Sequence, residues 1–511
     1  MSAEAEPDMS GATPEVAPEE LTPVVALNPA APDRALSPPA PSSSAPSSPA
    51  LAPELGPIDE GIIGWERVPL IIERIVPPTF PDLDCDITSY GGVGDGVTDN
   101  SAAFAAAIAD CASRGGGRVV APLGQGPSTT FFTGPIELKS HINLYVPAGV
   151  TIKFSTDPDQ YLPVVKVSYE GNLLYNYRPL ISAHDATDVA ITGGGTLDGN
   201  ATPDDWYAWL ALSAEDTLAL RVQNATGVPI EQRVYGAGHF LRPSLIELMN
   251  VTNVLFDGFT AQNSPFWSIH PVLSKNITAR NLRVLANQPN TDGFDPESSL
   301  NVLVDNVTIQ VGDDPIAIKA GRDRDGWSYY TPTENVVIQN CSFNSGNPTH
   351  GAAIAIGSEM SAGVRHVYAQ DITFTSVGGV LAQAIYMKAS VYRGGFIENF
   401  YARRLTVDAI TTFFFLNGQY SAGAVPADAP RMFTNFNNIN VDGATVNSVL
   451  AEGFRITGPD ATVLATNINI SNVTIQQAAT AIRPGAAHYS GLNVSNVVVN
   501  GAAFTPPESV P

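Results

Sequence analysis

The stretch that decides the fold is Asn290-Thr291-Asp292-Gly293-Phe294-Asp295, which is followed by Gly312-Asp313-Asp314. Asp313 follows Asp292 by 21 residues, which is about the length of one coil in a β-solenoid, and the surrounding chain repeats at roughly that period. Stacked coils lie about 4.8 Å apart, so equivalent positions on successive coils place their side chains side by side. The spacing therefore predicts that Asp292, Asp313 and Asp314 share one patch, with Asp295 just behind it.

Three carboxylates in one patch repel one another. Such crowding costs free energy unless the groups bind a metal ion, share a proton or take part in chemistry. A purely structural role at a turn of the solenoid explains this cluster poorly. We therefore interpret the acidic patch as a functional site and the rest of the chain as the scaffold that holds it.

Short β-rich segments with Asn or Gly at their ends recur through the chain. Four of them begin 23, 25 and 34 residues apart, a constant core with variable insertions that is typical of a solenoid. Alternating β-branched residues, with little further helical pattern, predict an all-β, right-handed parallel β-helix. Asn tolerates the left-handed backbone that tight corners need, so we interpret the Asn-X-Ser/Thr triplets at Asn250, Asn276, Asn306 and Asn472 as corners rather than glycosylation sites. The repeated segments are 187–193, 253–258, 276–281, 301–306, 335–340 and 467–472.

One helix precedes this β region. Residues 101–112 are rich in Ala and carry Phe104 and Ile108 at helical spacing, with capping residues in front and three glycines behind. A single helix before a long solenoid favours a cap over its first coil, whose core and strand edges would otherwise be exposed.

The chain divides by composition into three parts. Residues 1–58 hold 13 of the 41 prolines, together with much Ala and Ser, which predicts a disordered tail. Residues 59–80 are too short for a domain and are predicted to form a linker or arm, and residues 81–505 are predicted to form the β-helix catalytic domain. The first residues carry neither a basic segment nor an apolar segment of the kind that marks a secretory signal.

Composition excludes some classes of partner. The 511-residue chain has a formal net charge of −24 and 44% hydrophobic residues, so it can bury a large core but is unsuited to nucleic acid or to anionic membranes. No apolar run is long enough to span a membrane. An anionic substrate would need local cations in the site, since the overall field repels it. The three cysteines are expected to be buried thiols, with a Cys85–Cys111 bridge left open.

The predicted coils carry a row of chemically active side chains beyond the acidic patch. In chain order, the candidates are Asp292 and Asp295, Asp313 and Asp314, His350, and then Lys388 and Arg393. Insertions of a solenoid tend to fall on one face and build a groove there. A row of acids that continues into His and cationic residues favours a groove that binds and transforms a ligand.

These residues, in this order on a predicted β-helix, resemble glycoside hydrolase family 28, the polygalacturonases. The resemblance extends over most of residues 82–500, and several segments look most like the bacterial exo-acting branch. The segments that carry it are 90–99, 175–180, 240–243, 263–271, 290–295, 312–314, 350–351, 357–360 and 393–395, together with the segment around Lys388.

The resemblance implies inverting hydrolysis of α-1,4-linked galacturonide. In such a reaction one carboxylic acid protonates the leaving oxygen, and a base on the other face of the sugar activates water. Asp313 matches the general acid, and Asp292 and Asp314 match the pair that holds and deprotonates the water. His350 matches a histidine that hydrogen-bonds the acid, and Lys388 matches a cation that holds a substrate carboxylate. The resemblance implies no metal and no cofactor.

Three positions depart from the family pattern. The family's Arg-X-Lys is Tyr386-Met387-Lys388 here, its Gly-His-Gly is Thr349-His350-Gly351, and the usual Cys after the acid pair is Pro315. Tyrosine cannot form the bidentate pair with a carboxylate that arginine forms. Tyr386 therefore affects which sugar is accepted. Asn290, Asp295, Tyr386, Lys388 and Arg393 are the predicted substrate-binding residues, with Arg393 as the candidate replacement for the missing arginine.

Other readings of the same residues stay open at this point. The enzyme could cleave a different pectic linkage, such as that of rhamnogalacturonan, because Tyr386 weakens uronate recognition. It could be a β-helix polysaccharide lyase, which would use acids to bind calcium, or a non-catalytic protein that binds glycans. We expect a pectic polysaccharide or oligosaccharide as the partner and a secreted or periplasmic location. The sequence does not indicate the oligomeric state.

Overall fold

The structure is a computed structural model that describes residues 56–346, 351–421, 429–483 and 487–507. The predicted tail lies almost entirely outside the described residues, and so does His350. The remaining chain consists mainly of short parallel strands.

The strands of the first half are, in chain order, β1 (Asp84–Asp86), β2 (Asp95–Asp99), β3 (Gly117–Val120), β4 (Thr129–Thr133), β5 (Ile136–Glu137), β6 (Ile142–Tyr145), β7 (Val150–Phe154), β8 (Val165–Tyr169), β9 (Asn172–Asn176), β10 (Ile181–His184), β11 (Thr187–Thr192), β12 (Thr196–Asp198), β13 (Val234–Tyr235), β14 (Ile246–Met249), β15 (Thr252–Asp257) and β16 (Thr260–Gln262).

The later strands are β17 (Ile269–Val272), β18 (Lys275–Arg280), β19 (Arg283–Leu285), β20 (Leu300–Asp305), β21 (Thr308–Val311), β22 (Ile316–Ile318), β23 (Thr333–Gln339), β24 (Ser342–Ser345), β25 (Ala352–Ile356), β26 (Val364–Phe374), β27 (Gln383–Lys388), β28 (Phe396–Ile410), β29 (Thr412–Asn417), β30 (Asn435–Thr457), β31 (Ala465–Ile482), β32 (Tyr489–Val499) and β33 (Ala502–Ala503).

Within the described ranges, four α-helices and five 3-10 helices accompany the strands. The α-helices are α1 (Arg67–Arg74), α2 (Ser101–Ser113), α3 (Ala214–Thr226) and α4 (Asp323–Ser328). The 3-10 helices are Gly64–Glu66, Ile87–Tyr90, Pro158–Tyr161, Trp206–Ala211 and Ile230–Gln232.

The strands form three parallel ladders around one core, which confirms the predicted right-handed parallel β-helix. One ladder runs from β1 through β3, β6 and β11 to β32, and a second runs from β2 through β4 and β7 to β24. The third contains β5, β10, β14, β17, β22, β25, β27, β29 and the end of β30. This third ladder carries the acidic patch, so we call its outer surface the site face.

Side chains alternate between the core and the outside along each strand, as the pleat requires. Inward positions stack in columns of apolar residues, which bury the core. One such column, every member of it fully buried or nearly so, is Ile277, Val302, Val336, Val367, Phe400, Ile439 and Ile468.

Asparagines form the corners between ladders, as the sequence predicts. Asn253, Asn276, Asn301 and Asn335 all adopt a left-handed backbone, with φ between 56° and 60°. The side-chain amides of Asn276, Asn301 and Asn335 each donate to the amide oxygen of the preceding corner, at 3.0–3.1 Å, and that of Asn253 donates to the Asp188 carboxylate at 2.9 Å. Because every amide is both donor and acceptor, the ladder satisfies its polar groups coil by coil.

Helix α2 lies over the first coil, in agreement with the predicted cap. Its inner face buries Phe104, Ala107, Ile108 and Cys111, and Phe104 packs edge-to-face on Phe131 with ring centroids 6.5 Å apart. All three cysteines of the chain are buried and free, so the Cys85–Cys111 bridge is not formed.

An arm at residues 56–75 lies against the outside of the β-helix. It packs Ile71 and Trp65 against Tyr368 and Tyr401, whose rings stack at 5.4 Å. Its Arg67 is buried, donates to the Asn335 side chain at 2.9 Å and to two carbonyl oxygens of the arm itself. Among the described residues, none of the helices combines the length and apolar character needed to cross a membrane.

We expect Arg67→Ala to loosen this arm without changing the β-helix. The substitution removes three hydrogen bonds from a buried guanidinium and leaves Asn335 with an unpaired oxygen, a loss of about 2–3 kcal/mol. Limited proteolysis should then cleave within residues 56–75 faster than in the unmodified protein. Arg114→Ala, which removes an exposed ion pair, is the matched control, and equal cleavage rates in both variants would contradict the expectation.

Candidate active site

The parallel register brings the acids together. Phe294 forms a bridge with Ile316, and the Gly293 amide donates to the Asp314 carbonyl at 2.9 Å. Asp292 therefore lies beside Asp314 on the neighbouring coil, with Asp313 one residue earlier. The structure confirms that the three acids share one patch, although the strict neighbour of Asp292 is Asp314.

Glycines allow the backbones to approach this closely. A Cβ atom on Gly312 would lie 2.2 Å from the Gln288 carbonyl oxygen, and one on Gly351 would lie 2.1 Å from the Asp313 carbonyl oxygen. Gly351 also has a φ of +76°, which L-residues rarely adopt. Any side chain at these positions would push the acid-bearing turns apart.

The three carboxylates each offer one oxygen within 4.8 Å of the others. Asp314 accepts from the Ala352 amide at 2.7 Å and pairs with the Lys388 ammonium at 2.7 Å. Asp313 accepts from the Asn290 amide at 3.1 Å. Asp292 and Asp314 are buried, whereas Asp313 is half-buried and faces the cavity.

Lys319 is a buried cation beneath this patch. Its ammonium nitrogen lies 3.6 Å from Asp292, 3.9 Å from Asp295 and 3.4 Å from Glu359, and 4.1 Å from the centre of the Trp267 ring. The carboxylates around it raise the pKa of Lys319, against the effect of burial, so it stays charged. Lys319 thus balances part of the negative charge from below, as Lys388 does from the side.

Two of the acids are strongly perturbed. Burial raises the pKa of Asp292 well above its ordinary value, Asp313 adds to the increase, and Lys319 opposes it. Burial raises the pKa of Asp295 in the same way, with the Asp292 charge as the next cause. Perturbed carboxyls of this kind, grouped in a cleft, are typical of sites that transfer protons.

A cavity of about 570 Å³ opens above these groups. The residues that line it are Glu170, Arg221, Trp267, Asn290, Asp292, Asp313, Asp314, Lys319, Arg322, Gly351, Ser358, Glu359, Ala382, Gln383, Tyr386, Lys388, Tyr420 and Ser421. Its walls are polar, and they carry both acids and cations, which suits a hydroxylated and charged ligand.

Most of the predicted residues lie where the sequence places them. Asn290, Tyr386 and Lys388 line the cavity beside the three acids. Asp295 and Arg393 do not: both are fully buried. Asp295 lies under Lys319. His350 lies outside the described residues, so its predicted role stays a prediction.

The placement of Arg393 corrects one expectation. Its guanidinium donates to the Ser358 carbonyl at 2.6 Å and pairs with Asp323, below the cavity surface. These contacts hold the loop after β25 against α4. Arg393 is therefore not placed to replace the missing family arginine by direct contact with a ligand.

Sequence reasoning missed several cations and acids of the cavity. Lys319 directly follows the apolar strand β22, soon after the acid pair, which is a usable signal, and Glu359 lies in one of the segments that carry the family resemblance. Glu170, Arg221 and Arg322 come together only in the fold: Glu170 pairs with Arg221 at 2.6 Å and with Arg322 at 3.3 Å. These residues are so far apart in the chain that no sequence pattern predicts their contact.

Among the residues that the structure describes, two groups of side chains have the spacing of metal ligands. One is the three acids of the patch, and the other is Glu60, Glu334 and His366. In the first group, the ammonium groups of Lys319 and Lys388 already compensate the charge that a cation would neutralise. In the second, Arg365 pairs with both glutamates, which explains that cluster as an ion-pair network.

An insertion fills the site face on the coils before the acids. The hairpin of β8 and β9 places Tyr169 on Phe266, with ring centroids 4.7 Å apart, and Phe266 stacks on Trp267 at 5.0 Å. Trp267 lies one coil before Asp292, since the Ser268 amide donates to the Asp292 carbonyl. Helix α3 packs Leu220 into the same apolar cluster. We call the hairpin and α3 together the wall.

A buried ionic cluster anchors the wall. Glu247 accepts from the Ser168 amide at 3.0 Å, and Glu297 accepts from the Ser168 hydroxyl at 2.7 Å. His270 lies between the two glutamates, with ring nitrogens 2.9 Å from Glu297 and 3.4 Å from Glu247. Although burial opposes the charged ring, the two glutamates raise the pKa of His270 to about 9. The imidazolium therefore compensates the acids that hold the hairpin.

Comparisons with known proteins give one consistent family. Residues 127–382 match the model of Glycosyl hydrolases family 28. The chain is 33% identical to a probable polygalacturonase of Vitis vinifera over 408 residues, which covers 77% of this chain and 74% of that protein. It is 26% identical to an exo-poly-alpha-D-galacturonosidase of Dickeya chrysanthemi, covering 82% and 75% of the two chains. The crystal structure of a hyperthermoactive exopolygalacturonase from Thermotoga maritima superimposes with a TM-score of 0.75 at 34% identity, covering 85% of this chain and 96% of that chain.

The His270 cluster predicts how stability depends on pH. The folded pKa of about 9 exceeds the ordinary value of 6.5, so the stabilisation is complete below pH 6.5 and is lost as the pH rises towards 9. The whole effect is about 3 kcal/mol. Denaturant unfolding from pH 6 to pH 9 should show this decrease, and His270→Gln should be less stable at pH 6 with a flatter profile. His141→Gln, at an exposed histidine, is the control. If His270→Gln loses as much stability between pH 6 and pH 9 as the unmodified protein does, groups other than His270 cause the decrease.

Proposed function

Because the chain belongs to glycosyl hydrolase family 28, we propose that it is an exo-acting, inverting hydrolase of α-1,4-galacturonide linkages in pectin or pectic oligosaccharides. The observation that carries the proposal is the cluster of Asp292, Asp313 and Asp314, at the bottom of a cavity that a wall closes on one side. A pectic polysaccharide as substrate follows from the family. The roles of the residues and the mode of attack are our proposal.

Asp313 is the proposed general acid. Its proton passes to the glycosidic oxygen as the bond from that oxygen to the anomeric carbon breaks. Asp292 and Asp314 hold a water molecule on the opposite face of the sugar. As the water oxygen bonds to the anomeric carbon, one of these carboxylates takes the water proton, and the configuration inverts. Asp313 is the most exposed of the three acids that line the cavity, which supports its contact with the leaving oxygen.

The two lysines support this division of roles. Asp314 pairs with Lys388 at 2.7 Å, and Asp292 lies 3.6 Å from Lys319, so both proposed bases face an ammonium group. A positive charge at this distance favours the ionised carboxylate that a base must have. Burial and the Asp313 charge favour protonated Asp292, and Lys319 opposes both effects. We therefore assign Lys319 as a positioning residue for the base.

The wall supports the proposed exo action. Tyr169, Phe266 and Trp267 occupy the site face on the coils immediately before the acids. A polysaccharide chain cannot continue through this packed apolar cluster, so only the end of a chain fits between Trp267 and the acids. The rest of the substrate extends over the later coils.

Cations in the cavity suit a uronate substrate. Arg221, Arg322 and Lys388 line it, which provides local positive charge in a protein whose net charge is −24. Each of these cations also pairs with a carboxylate of the protein, which keeps it in place. Since pectin lies in plant cell walls, we also propose that the enzyme acts outside the cytoplasm, as a secreted or periplasmic protein.

The products formed from polygalacturonic acid and from short galacturonide oligomers test the function. We expect galacturonic acid monomer from the first time points, without the near-ultraviolet absorbance that a lyase product shows. Asp313→Asn should lower kcat by about 10²–10⁴-fold, because the amide cannot protonate the leaving oxygen. Reducing-end assays and chromatography of the products give both results.

Asp371→Asn is the matched control, since Asp371 pairs with Arg404 at the protein surface. It should leave kcat and the products unchanged. Products that absorb in the near ultraviolet would show that the enzyme is a lyase. A ladder of oligomers at early times would show endo action. If galacturonides give no product but rhamnogalacturonan does, the substrate is a different pectic polymer, consistent with Tyr386 in place of the family arginine.

Lys319→Met tests the positioning role. Loss of the ammonium raises the pKa of Asp292 further, so less of the base is ionised at low pH. The acidic limb of the kcat/KM profile should move to higher pH by about one unit or more. Other charged groups also act on Asp292 or on Lys319, and they stay unchanged in the variant. These groups are Asp295, Asp313, Asp314, Glu359, Lys388 and Arg242.

Lys319→Arg keeps the charge and should keep the acidic limb near its original position. Lys139→Met, at an exposed lysine, controls for the substitution itself. A uniform loss of activity at all pH values in Lys319→Met, with no displacement of the limb, would show that Lys319 only supports the fold.

A further inference from the structure

One outward column of the site face runs from the acids towards the end of the β-helix. Successive coils place Ala317, Ala355, Tyr386, Phe415 and Arg455 in register. The two alanines are fully buried and lie on the coil of the acid pair and on the coil after it. On the later coils, the column contains the rings of Tyr386 and Phe415 and ends with the guanidinium of Arg455.

The last three residues form one continuous stack. The Tyr386 and Phe415 rings are nearly parallel, at 9° and with centroids 4.6 Å apart. The Arg455 guanidinium lies 4.2 Å from the centre of the Phe415 ring. Phe454 and Ile456, on either side of Arg455, point into the core, so the backbone fixes Arg455 outward. The stack holds the guanidinium in one orientation and leaves its edge for other partners.

Arg455 is a cation without a matching acid. Within the part of the chain that the structure describes, no carboxylate oxygen lies within ion-pair distance of it. The nearby Glu452 pairs instead with Arg483, at 3.0 Å. Burial, followed by the Arg483 charge, lowers the pKa of Arg455, and Glu452 opposes this decrease. In a chain with 26 basic and 50 acidic residues, such a position is a natural site for an external anion.

The other cations near Tyr386 are already engaged. Lys388 pairs with Asp314, and Arg393 is buried against Ser358 and Asp323. Tyr386 itself offers a ring and a hydroxyl group that accepts from Asn417 at 3.1 Å. A uronate bound over the later coils therefore meets an aromatic surface first and Arg455 beyond it. The two coils between Tyr386 and Arg455 span about 9.6 Å.

We propose that Arg455 binds the carboxylate of a galacturonate residue on the leaving side of the substrate, beyond the two residues that flank the scissile bond. The inference rests on the proposed function, because it needs a galacturonide whose chain extends over the later coils. It assigns Arg455 as a specificity-determining residue for longer, unesterified oligomers. It also gives the enzyme a uronate contact that Tyr386 does not provide.

Kinetics on galacturonide oligomers of two to six residues test this. A dimer fills only the positions on either side of the scissile bond and cannot reach Arg455. Arg455→Gln should leave kcat and KM for the dimer within about twofold, and should raise KM about tenfold for oligomers of four or more residues. Arg455→Lys should restore part of the affinity for these oligomers. Arg404→Gln, at an exposed arginine on another face, should have no effect at any length.

Binding measurements separate this inference from the proposed function. The Kd of each oligomer is measured by calorimetry in the Asp313→Asn background, with and without Arg455→Gln. A loss of affinity that appears only for the longer oligomers supports the role of Arg455. Equal effects at every length, or none at any length, overturn the inference while the hydrolase stands. Failure of every galacturonide to bind overturns both.

Discussion

The parallel register of the coils is the constraint on which the rest of the structure depends. Each coil repeats the backbone path of the previous one about 4.8 Å away, so side chains at equivalent positions must be compatible with close neighbours. Apolar columns and asparagine ladders satisfy this condition over most of the molecule. On the site face the same register places Asp292 beside Asp314, where proximity is unfavourable unless other charges balance it.

That balance comes from lysines on neighbouring coils. Lys319 contacts three acids from beneath, and Lys388 pairs with Asp314 at the edge of the cavity. Breaking a buried pair by removing one partner leaves a charge without compensation and is strongly destabilising. The arrangement therefore links stability to the proposed chemistry, because the ammonium groups that offset the repulsion within the acidic patch also favour the ionised form of the proposed bases.

The insertions convert a uniform solenoid into a site with two different ends. Before the acids, the wall packs Tyr169, Phe266 and Trp267 over the site face, and the His270 cluster anchors it with charges that are buried and paired. After the acids, the column continues through two alanines and two aromatic rings to Arg455. The two ends of the site face therefore differ, and this difference underlies the proposed exo action.

The sequence by itself determined the β-helix, the corner asparagines, the capping helix and the acidic patch, because these features depend on periodicity and on residues within one or two coils. The tertiary structure decided which further cations join Lys388 in the site. Lys319 looks like the end of an ordinary strand, and Glu170 and Arg322 are 152 residues apart in the chain but 3.3 Å apart in space. The tertiary structure also decided that Arg393 is buried and that Arg455 packs on the Phe415 ring, which stacks on Tyr386. Such contacts depend on how insertions fold back over the coils, and no local pattern in the sequence predicts which residues this folding brings together.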